Sequence, residues 1–382
     1  MMTRKKFWQH LCLSFVVCLF TSATAGAQHT LPLRGNVVKP TDPCIQYVGR
    51  ISFQHPERPS WNYPGAQIIT AFEGTTAKLM CKPGSGYFMA QIDEAEPFKV
   101  AFRGQRDSVL TLCTALPRGQ HTVRLMYCIE GYEMLPEFWG FIFDGPTCQP
   151  PALPARTIEF VGNSITCGYG NEATEAGDHF QYETENHYYS YAQLCARQLQ
   201  ARAHIVARSG IGVYRHYNGP KSGTPSTSMD VQYEYTNYVT DSTLRRQNSF
   251  NAEPWDFGRF TPDVVCINLG TNDLSTNNYD TKLLKQGYVR LLQLVRRHNP
   301  QSKIVFLCGS MLGGRELDIC QRLLDEVTAE ARQQGDQQVY RFNFSHSDGS
   351  LKHGADYHPS LWQHEKMAAE LTAYLRTLMQ WF

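Results

Sequence analysis

Two residues that could together hydrolyse an ester lie far apart in the chain. Ser164 follows Gly162 and Asn163, and His358 precedes a proline near the carboxyl terminus. A serine hydroxyl becomes a nucleophile when a histidine takes its proton. Between them lie Gly210 and Asn272, whose backbone N–H and side-chain amide could hold the charge of an oxyanion. These four residue types together can perform acyl transfer.

Each of the four also has a structural explanation when it is taken alone. Ser164 could cap a helix, and Gly210 could serve only a tight turn. Asn272 could form an Asx turn, and His358 could stand at a helix start or on the surface. The elements that position these residues therefore matter as much as the residues.

The second half of the chain alternates between two hydrophobic patterns. Short apolar runs predict buried strands at residues 157–161, 205–207, 264–269, 304–307 and 339–342. Helical periodicity predicts helices at residues 188–199, 283–298, 317–333 and 361–381. This alternation predicts a parallel α/β sheet with helices on both faces. Because ligands bind at the carboxyl ends of parallel strands, we expect Ser164, Gly210 and Asn272 to meet there.

Residues 37–145 have a different pattern, with short aromatic and β-branched runs separated by prolines and glycines. The runs at 49–53, 67–72, 87–92 and 121–125 are predicted strands, and they indicate an antiparallel sandwich or jelly roll. Residues 146–155 are rich in proline and predict a stiff linker. The predicted organisation is a β domain over 37–145 and an α/β domain over 156–382.

Residues 214–259 fit neither pattern and form a long excursion between two predicted strands. Such segments are usually functional or carry a substructure of their own. Tyr214 in this excursion and Trp362 after His358 are candidates for an aromatic platform that binds sugar rings. For any single aromatic residue, packing in the core is the alternative.

The amino terminus has the three parts of a secretory signal: a basic start, an apolar run at residues 11–20, and small residues ending at Ala27. Cleavage after Ala27 would remove three basic residues and leave 355 residues with a formal net charge of −2. We expect a secreted or periplasmic protein without a transmembrane segment after this removal. Of the 12 cysteines, 10 would then enter an oxidising compartment, where some could pair.

Composition excludes several classes of protein. The 36 basic and 35 acidic residues nearly cancel, so the clustered positive field of a nucleic-acid-binding protein is not expected. The 12% aromatic content argues against disorder. No Cys-x-x-Cys pair occurs, and His353, His358 and His364 have no Cys or acidic partners in a metal-ligand pattern around them, so no metal site is predicted.

Ser, Gly, Asn and His in this order resemble the conserved blocks of the SGNH/GDSL hydrolase superfamily. Residues 160–170, 209–213 and the β-rich half with residues 47–50 resemble carbohydrate esterase family 2 more specifically. The resemblance covers essentially the whole mature chain. It implies a flavodoxin-like SGNH hydrolase domain after a jelly roll, and a secreted serine esterase similar to acetyl xylan esterases.

The resemblance also implies roles for the residues. Ser164 would be the nucleophile and His358 the general base, while the N–H groups of Ser164 and Gly210 and the amide of Asn272 would form the oxyanion hole. The substrate would be an acetylated polysaccharide or oligosaccharide such as xylan or glucomannan, and no cofactor or metal would be required. The alternatives are an SGNH esterase or lipase for another acyl ester, and a carbohydrate-binding protein whose β domain is the functional part.

Two positions depart from the superfamily pattern. Asn163 replaces the usual Asp before the serine, which keeps an acceptor for local turn support but not the charge. Asp356 is separated from His358 by one residue instead of two. Asp356 is therefore a candidate third member of a triad, and a Ser–His dyad oriented by a backbone carbonyl is the alternative.

Overall fold

Two antiparallel sheets form the amino-terminal part of the protein in a computed structural model that describes residues 35–237, 252–276 and 278–382. The predicted signal at residues 1–27 lies outside these ranges. The strands of this part are β1 (Asn36–Val38), β2 (Gln46–Val48), β3 (Gln67–Gly74), β4 (Ala77–Cys81), β5 (Gly86–Ile92), β6 (Phe98–Phe102), β7 (Val109–Cys113), β8 (Gly119–Tyr127), β9 (Phe138–Phe143) and β10 (Thr147–Cys148).

One sheet has the strand order β1-β9-β4-β7, and the other has the order β10-β3-β8-β5-β6 with β2 beside β3. Buried and partly exposed residues alternate along the strands, so that each sheet turns one face to the core of the sandwich. In β8, His121, Val123 and Leu125 are buried while the residues between them are partly exposed. Phe72 and Phe143 stack across the core with ring centroids 4.3 Å apart. The predicted all-β architecture is confirmed.

The predicted strands at 67–72, 87–92 and 121–125 correspond to β3, β5 and β8. The predicted strand at 49–53 is wrong, since Gly49 has a left-handed φ of 109° and only Ser52 forms an isolated bridge, to Ser60. Part of the predicted linker is also paired, because β10 continues the sheet beside β3. The described residues belong to one compact unit.

The second part contains a five-stranded parallel sheet and a small two-stranded one. Its strands are β11 (Arg156–Gly162), β12 (Ala201–Ala207), β13 (Tyr235–Asn237), β14 (Glu253–Pro254), β15 (Val264–Asn268), β16 (Lys303–Cys308) and β17 (Val339–Asn343). The parallel order is β12-β11-β15-β16-β17. This is the flavodoxin-like order, and the direction of winding reverses between β11 and β15. The predicted α/β fold class is confirmed.

Six α-helices accompany these strands in the described part of the chain. They are α1 (Ser164–Cys167), α2 (Tyr191–Gln198), α3 (Met229–Gln232), α4 (Thr281–His298), α5 (Gly314–Gln333) and α6 (Leu361–Met379). Helices α4 and α5 pack in one hydrophobic core, and α2 and α6 pack in another on the opposite sheet face. Short 3₁₀ turns lie at Tyr182–Thr184, His187–Tyr189, Pro225–Thr227, Phe257–Arg259 and Ala355–Tyr357.

The excursion at 214–259 contains α3, two of the 3₁₀ turns and the β13–β14 pair, so it has a substructure of its own; residues 238–251 lie outside the described ranges. The ten cysteines of the described residues are free thiols. Within the same ranges, no helix combines the length and apolar character needed to cross a bilayer.

Candidate active site

Ser164 lies at the turn between β11 and α1, at the carboxyl end of the sheet. Asn163 caps the helix, and its side-chain oxygen accepts the N–H of Ile165 at 3.0 Å. The predicted turn support from Asn163 is therefore present without the charge of an aspartate. Ser164 is the first residue of α1, so its own N–H has no acceptor within the helix.

His358 meets Ser164 across the carboxyl edge of the sheet. Its Nε2 lies 2.8 Å from Ser164 Oγ, and its Nδ1 lies 3.1 Å from the carbonyl oxygen of Ala355. Because Nδ1–H donates to this carbonyl, Nε2 is left as the acceptor for the serine proton. The geometry is that of a general base beside a nucleophile.

A strained turn aims His358 at the serine. Asp356 and Tyr357 have left-handed φ angles of 49° and 63°, which are costly for residues with side chains. Hydrogen bonds to neighbouring loops hold the turn, including Ala355 N–H to Gly170 O at 2.9 Å. Gly170 permits this approach, since a Cβ there would lie 2.3 Å from the Cβ of Ala355.

Asp356 has a different place from the one that a triad requires. One carboxylate oxygen accepts the hydroxyl of Tyr169 at 2.9 Å and the N–H of Phe180 at 3.2 Å. The other lies 3.1 Å from Nδ1 of His179. The Nδ1 atom of His358 thus contacts the carbonyl oxygen of Ala355 and not the carboxylate of Asp356. Ser164 and His358 are therefore arranged as a dyad. Tyr169 packs against His358, with ring centroids 4.2 Å apart and ring planes tilted by 31°.

Gly210 and Asn272 lie beside the dyad and line the same cleft as Ser164. Gly210 has a left-handed φ of 77°, which glycine adopts without strain. Asn272 is 6% exposed, and its amide donates one hydrogen to Ile211 O at 2.7 Å. The second amide hydrogen remains for a ligand. The structure therefore brings together Ser164, Gly210, Asn272 and His358 as predicted.

Asp273 ties together the loops that carry Gly210 and Asn272, a role that sequence reasoning missed. It is fully buried, and its carboxylate accepts the N–H groups of Val213, Tyr214 and Arg215 at 2.9 to 3.2 Å. Burial raises the pKa of Asp273, and these backbone donors oppose that rise. The hydrogen bonds of Asp273 fix the loop after β12 against the loop after β15.

The two predicted aromatic platform residues lie away from this cleft. Tyr214 is buried in the core, where its hydroxyl accepts the N–H of Asp280 at 2.9 Å, so its prediction as a sugar platform is wrong. Trp362 is exposed but contacts Lys352 outside the cleft lining. Tyr217 is an exposed aromatic residue that does line the cleft, and its N–H donates to Gly210 O at 2.7 Å.

A buried cluster of Glu130, Cys167 and Glu185 lies behind the loop that carries Ser209 and Gly210. One ligand atom from each lies within 4.8 Å of the others, a spacing that a metal ion could use. Both oxygens of Glu130, however, are engaged by Ser209. Sequence reasoning missed this cluster, because its members are far apart in the chain and in no recognised motif.

Two family models match the chain, and together they cover most of it. The amino-terminal model of carbohydrate esterase 2 matches residues 47–151, and the GDSL-like lipase/acylhydrolase family model matches residues 160–366. A solved family two carbohydrate esterase from Clostridium thermocellum, in complex with cellohexaose, is 36% identical with a TM-score of 0.79. The alignment covers 88% of this chain and all of that one. The chain belongs to carbohydrate esterase family 2.

Two curated relatives illustrate the variety within this similarity. The cellulase/esterase CelE of Acetivibrio thermocellus is 35% identical over 341 residues, which are 89% of this chain and 40% of CelE. The chain thus spans about two fifths of that relative. An acetylxylan esterase/glucomannan deacetylase of Cellvibrio japonicus is 28% identical, and the alignment covers 95% of each chain. The prediction of a carboxylic ester hydrolase is confirmed at the level of the family.

Proposed function

We propose that this family 2 member is a serine esterase that removes O-acetyl groups from plant cell-wall polysaccharides such as xylan and glucomannan. The observation that carries the proposal is the 2.8 Å contact between Ser164 Oγ and His358 Nε2, beside Gly210 and Asn272. The substrate class is supported by relatives that are named acetylxylan esterase/glucomannan deacetylase.

The first half of the reaction is acyl transfer to the enzyme. His358 Nε2 takes the proton of Ser164 as Oγ attacks the acetyl carbonyl, and the carbonyl oxygen becomes negative. The N–H groups of Ser164 and Gly210 and the amide of Asn272 stabilise this oxygen. The bond to the sugar oxygen then breaks, and His358 returns the proton to the leaving hydroxyl.

The second half regenerates the serine. His358 takes a proton from water, the resulting hydroxide attacks the acetyl group on Ser164, and the proton passes to Oγ as acetate leaves. The products are acetate and a free sugar hydroxyl. All proton transfers use the single base that Ala355 O orients, so the dyad suffices for both halves.

Acetate release tests the proposal. Purified protein should release acetate from acetylated xylan or glucomannan, and among nitrophenyl esters it should hydrolyse the acetate faster than long-chain esters. A preference for long acyl chains would support the lipase alternative. Polysaccharide binding without turnover of any acyl ester would support the carbohydrate-binding alternative.

The pH profile provides a further expected result. Burial lowers the pKa of His358 below its ordinary value of 6.5. The base works when neutral, and a lowered pKa keeps it neutral to more acidic pH. We therefore expect the acid limb of kcat/KM for nitrophenyl acetate to have its midpoint below 6.5. A midpoint above that value, with the protein stable on preincubation at each pH, would contradict this electrostatic account.

Asp356→Asn separates a dyad from a triad. Because the carboxylate holds Tyr169 and His179 instead of His358 Nδ1, we expect kcat to fall by less than about tenfold, whereas removal of a true triad aspartate costs about 10⁴. His358→Ala is the matched comparison and should lose almost all activity. A loss of kcat in Asp356→Asn as large as that in His358→Ala would show that Asp356 is a member of a catalytic triad.

Secretion belongs to the same proposal. A polysaccharide substrate lies outside the cell, and residues 1–27 have the composition of a signal peptide. Amino-terminal sequencing of the exported protein should begin at Gln28 if cleavage follows Ala27.

A further inference from the structure

Glu130 lies behind the active-site cleft, in the segment that follows β8 of the amino-terminal sandwich. It is 3% exposed, and its Oε1 accepts the backbone N–H of Ser209 at 2.7 Å. Its Oε2 accepts the hydroxyl of the same serine. One carboxylate thus holds both the main chain and the side chain of Ser209.

These two hydrogen bonds fix the peptide group whose N–H, that of Gly210, is a proposed oxyanion donor. Ser209 directly precedes Gly210, and the planar peptide bond places the Gly210 N–H in one plane with the Cα and carbonyl of Ser209. On the other side, Tyr217 N–H donates to Gly210 O at 2.7 Å. Fixing Ser209 therefore limits how far the Gly210 N–H can turn.

Glu130 is itself fixed by hydrogen bonds to residues of the amino-terminal sandwich and of the segment before α2. Its N–H donates to Glu185 Oε2 at 3.1 Å, and the next residue, Gly131, donates to Asn62 O at 2.8 Å. Burial and the neighbouring Glu130 raise the pKa of Glu185 well above its ordinary range, which favours its neutral form beside Glu130. The position of the loop that carries Ser209 and Gly210 thus depends on contacts outside the α/β fold.

We propose that Glu130 is a positioning residue for the oxyanion hole, through which the amino-terminal sandwich aligns the Gly210 N–H for catalysis. The inference rests on the proposed function of Ser164 and His358. It gives the sandwich a direct part in the chemistry in addition to any role in substrate binding. An oxyanion donor acts mainly in the transition state, so its misalignment lowers kcat and leaves KM nearly unchanged.

The test compares variants in the full chain with nitrophenyl acetate as the probe. We expect Glu130→Ala to lower kcat by about 10- to 100-fold with KM within about threefold of the parent. Glu130→Gln keeps an acceptor for the Ser209 N–H and should recover part of the loss. Glu130→Ala combined with Ser209→Ala should be no slower than Glu130→Ala alone, because both act through one network.

Glu159→Gln is the matched control. Glu159 is also a buried carboxylate that joins the two parts of the chain, through Arg50 at 3.1 Å, but it lies in the middle of β11. This variant should lower the melting temperature while kcat stays within about threefold of the parent.

The outcomes separate this inference from the proposed function. If Glu130→Ala is destabilised like Glu159→Gln but keeps the parent's kcat, the carboxylate is only structural and the inference is wrong. If Glu130→Ala does not fold, the other two variants decide. A kcat equal to the parent's in both Glu130→Gln and Ser209→Ala would also show that the inference is wrong. An inactive parent, or a fully active Ser164→Ala, overturns the proposed function and this inference together.

Discussion

Ser164→Ala is expected to lower the kcat of acetate release by at least about 10⁴-fold, because among the described residues only Ser164 Oγ lies within hydrogen-bond distance of His358 Nε2. The change deletes one oxygen from a residue that is 6% exposed at the first position of α1. The side chain of Asn163, and not that of Ser164, caps α1, so the variant should fold. Acetate release from acetylated xylan and the melting temperature measure the two effects separately.

Ser350→Ala is the control for this variant, since Ser350 is exposed and outside the cleft lining. It should retain the parent's rate. Equal activity in Ser164→Ala and the parent would show that another nucleophile acts, whereas a misfolded Ser164→Ala would show an altered melting temperature.

Asn272→Ala is expected to lower kcat by about 10²- to 10³-fold, the usual cost of one oxyanion donor. KM should change little, because the donor is used most strongly when the carbonyl oxygen becomes negative. Asn272→Asp offers a sharper comparison, since it keeps the shape but replaces the donor amide by an acceptor. Steady-state kinetics on nitrophenyl acetate measure both variants.

Asn299→Ala is the matched control for loss of a buried asparagine. Asn299 is 2% exposed and donates to Tyr233 Oη at 2.8 Å, at the opposite end of the sheet from the cleft. It should be destabilised with nearly normal kcat. A similar loss of kcat in Asn299→Ala would mean that general destabilisation, and not the oxyanion hole, explains Asn272→Ala.

The positions of Ser164, Gly210 and Asn272 at the ends of strands could be predicted because hydrophobic periodicity locates the strands that precede them. Apolar runs locate the strands, and the parallel winding then places the residues after each strand at one edge. The order of the strands followed only from the family resemblance. Strand β10 could not be predicted, because the backbone pairing of Thr147 and Cys148 leaves no hydrophobic pattern in a proline-rich segment.

The partner of His358 could not be predicted in the same way. It depends on left-handed dihedrals at Asp356 and Tyr357, which residue types with side chains do not signal. Tyr214 illustrates a second limit, since its hydroxyl is satisfied by the backbone of Asp280 and allows the ring to be buried. Glu130 and Ser209 lie 79 residues apart, and no local pattern predicts their contact.

The proposed mechanism passes through a covalent acetyl group on Ser164, and peptide mass spectrometry tests for this group most directly. Protein mixed with nitrophenyl acetate and quenched in acid should carry one acetyl group on the peptide that contains Ser164. The His358→Ala variant should acquire it far more slowly, and Ser164→Ala should lack it. An active enzyme that carries no acetyl group at Ser164 at any quench time, or carries a turnover-competent one elsewhere, would contradict the account.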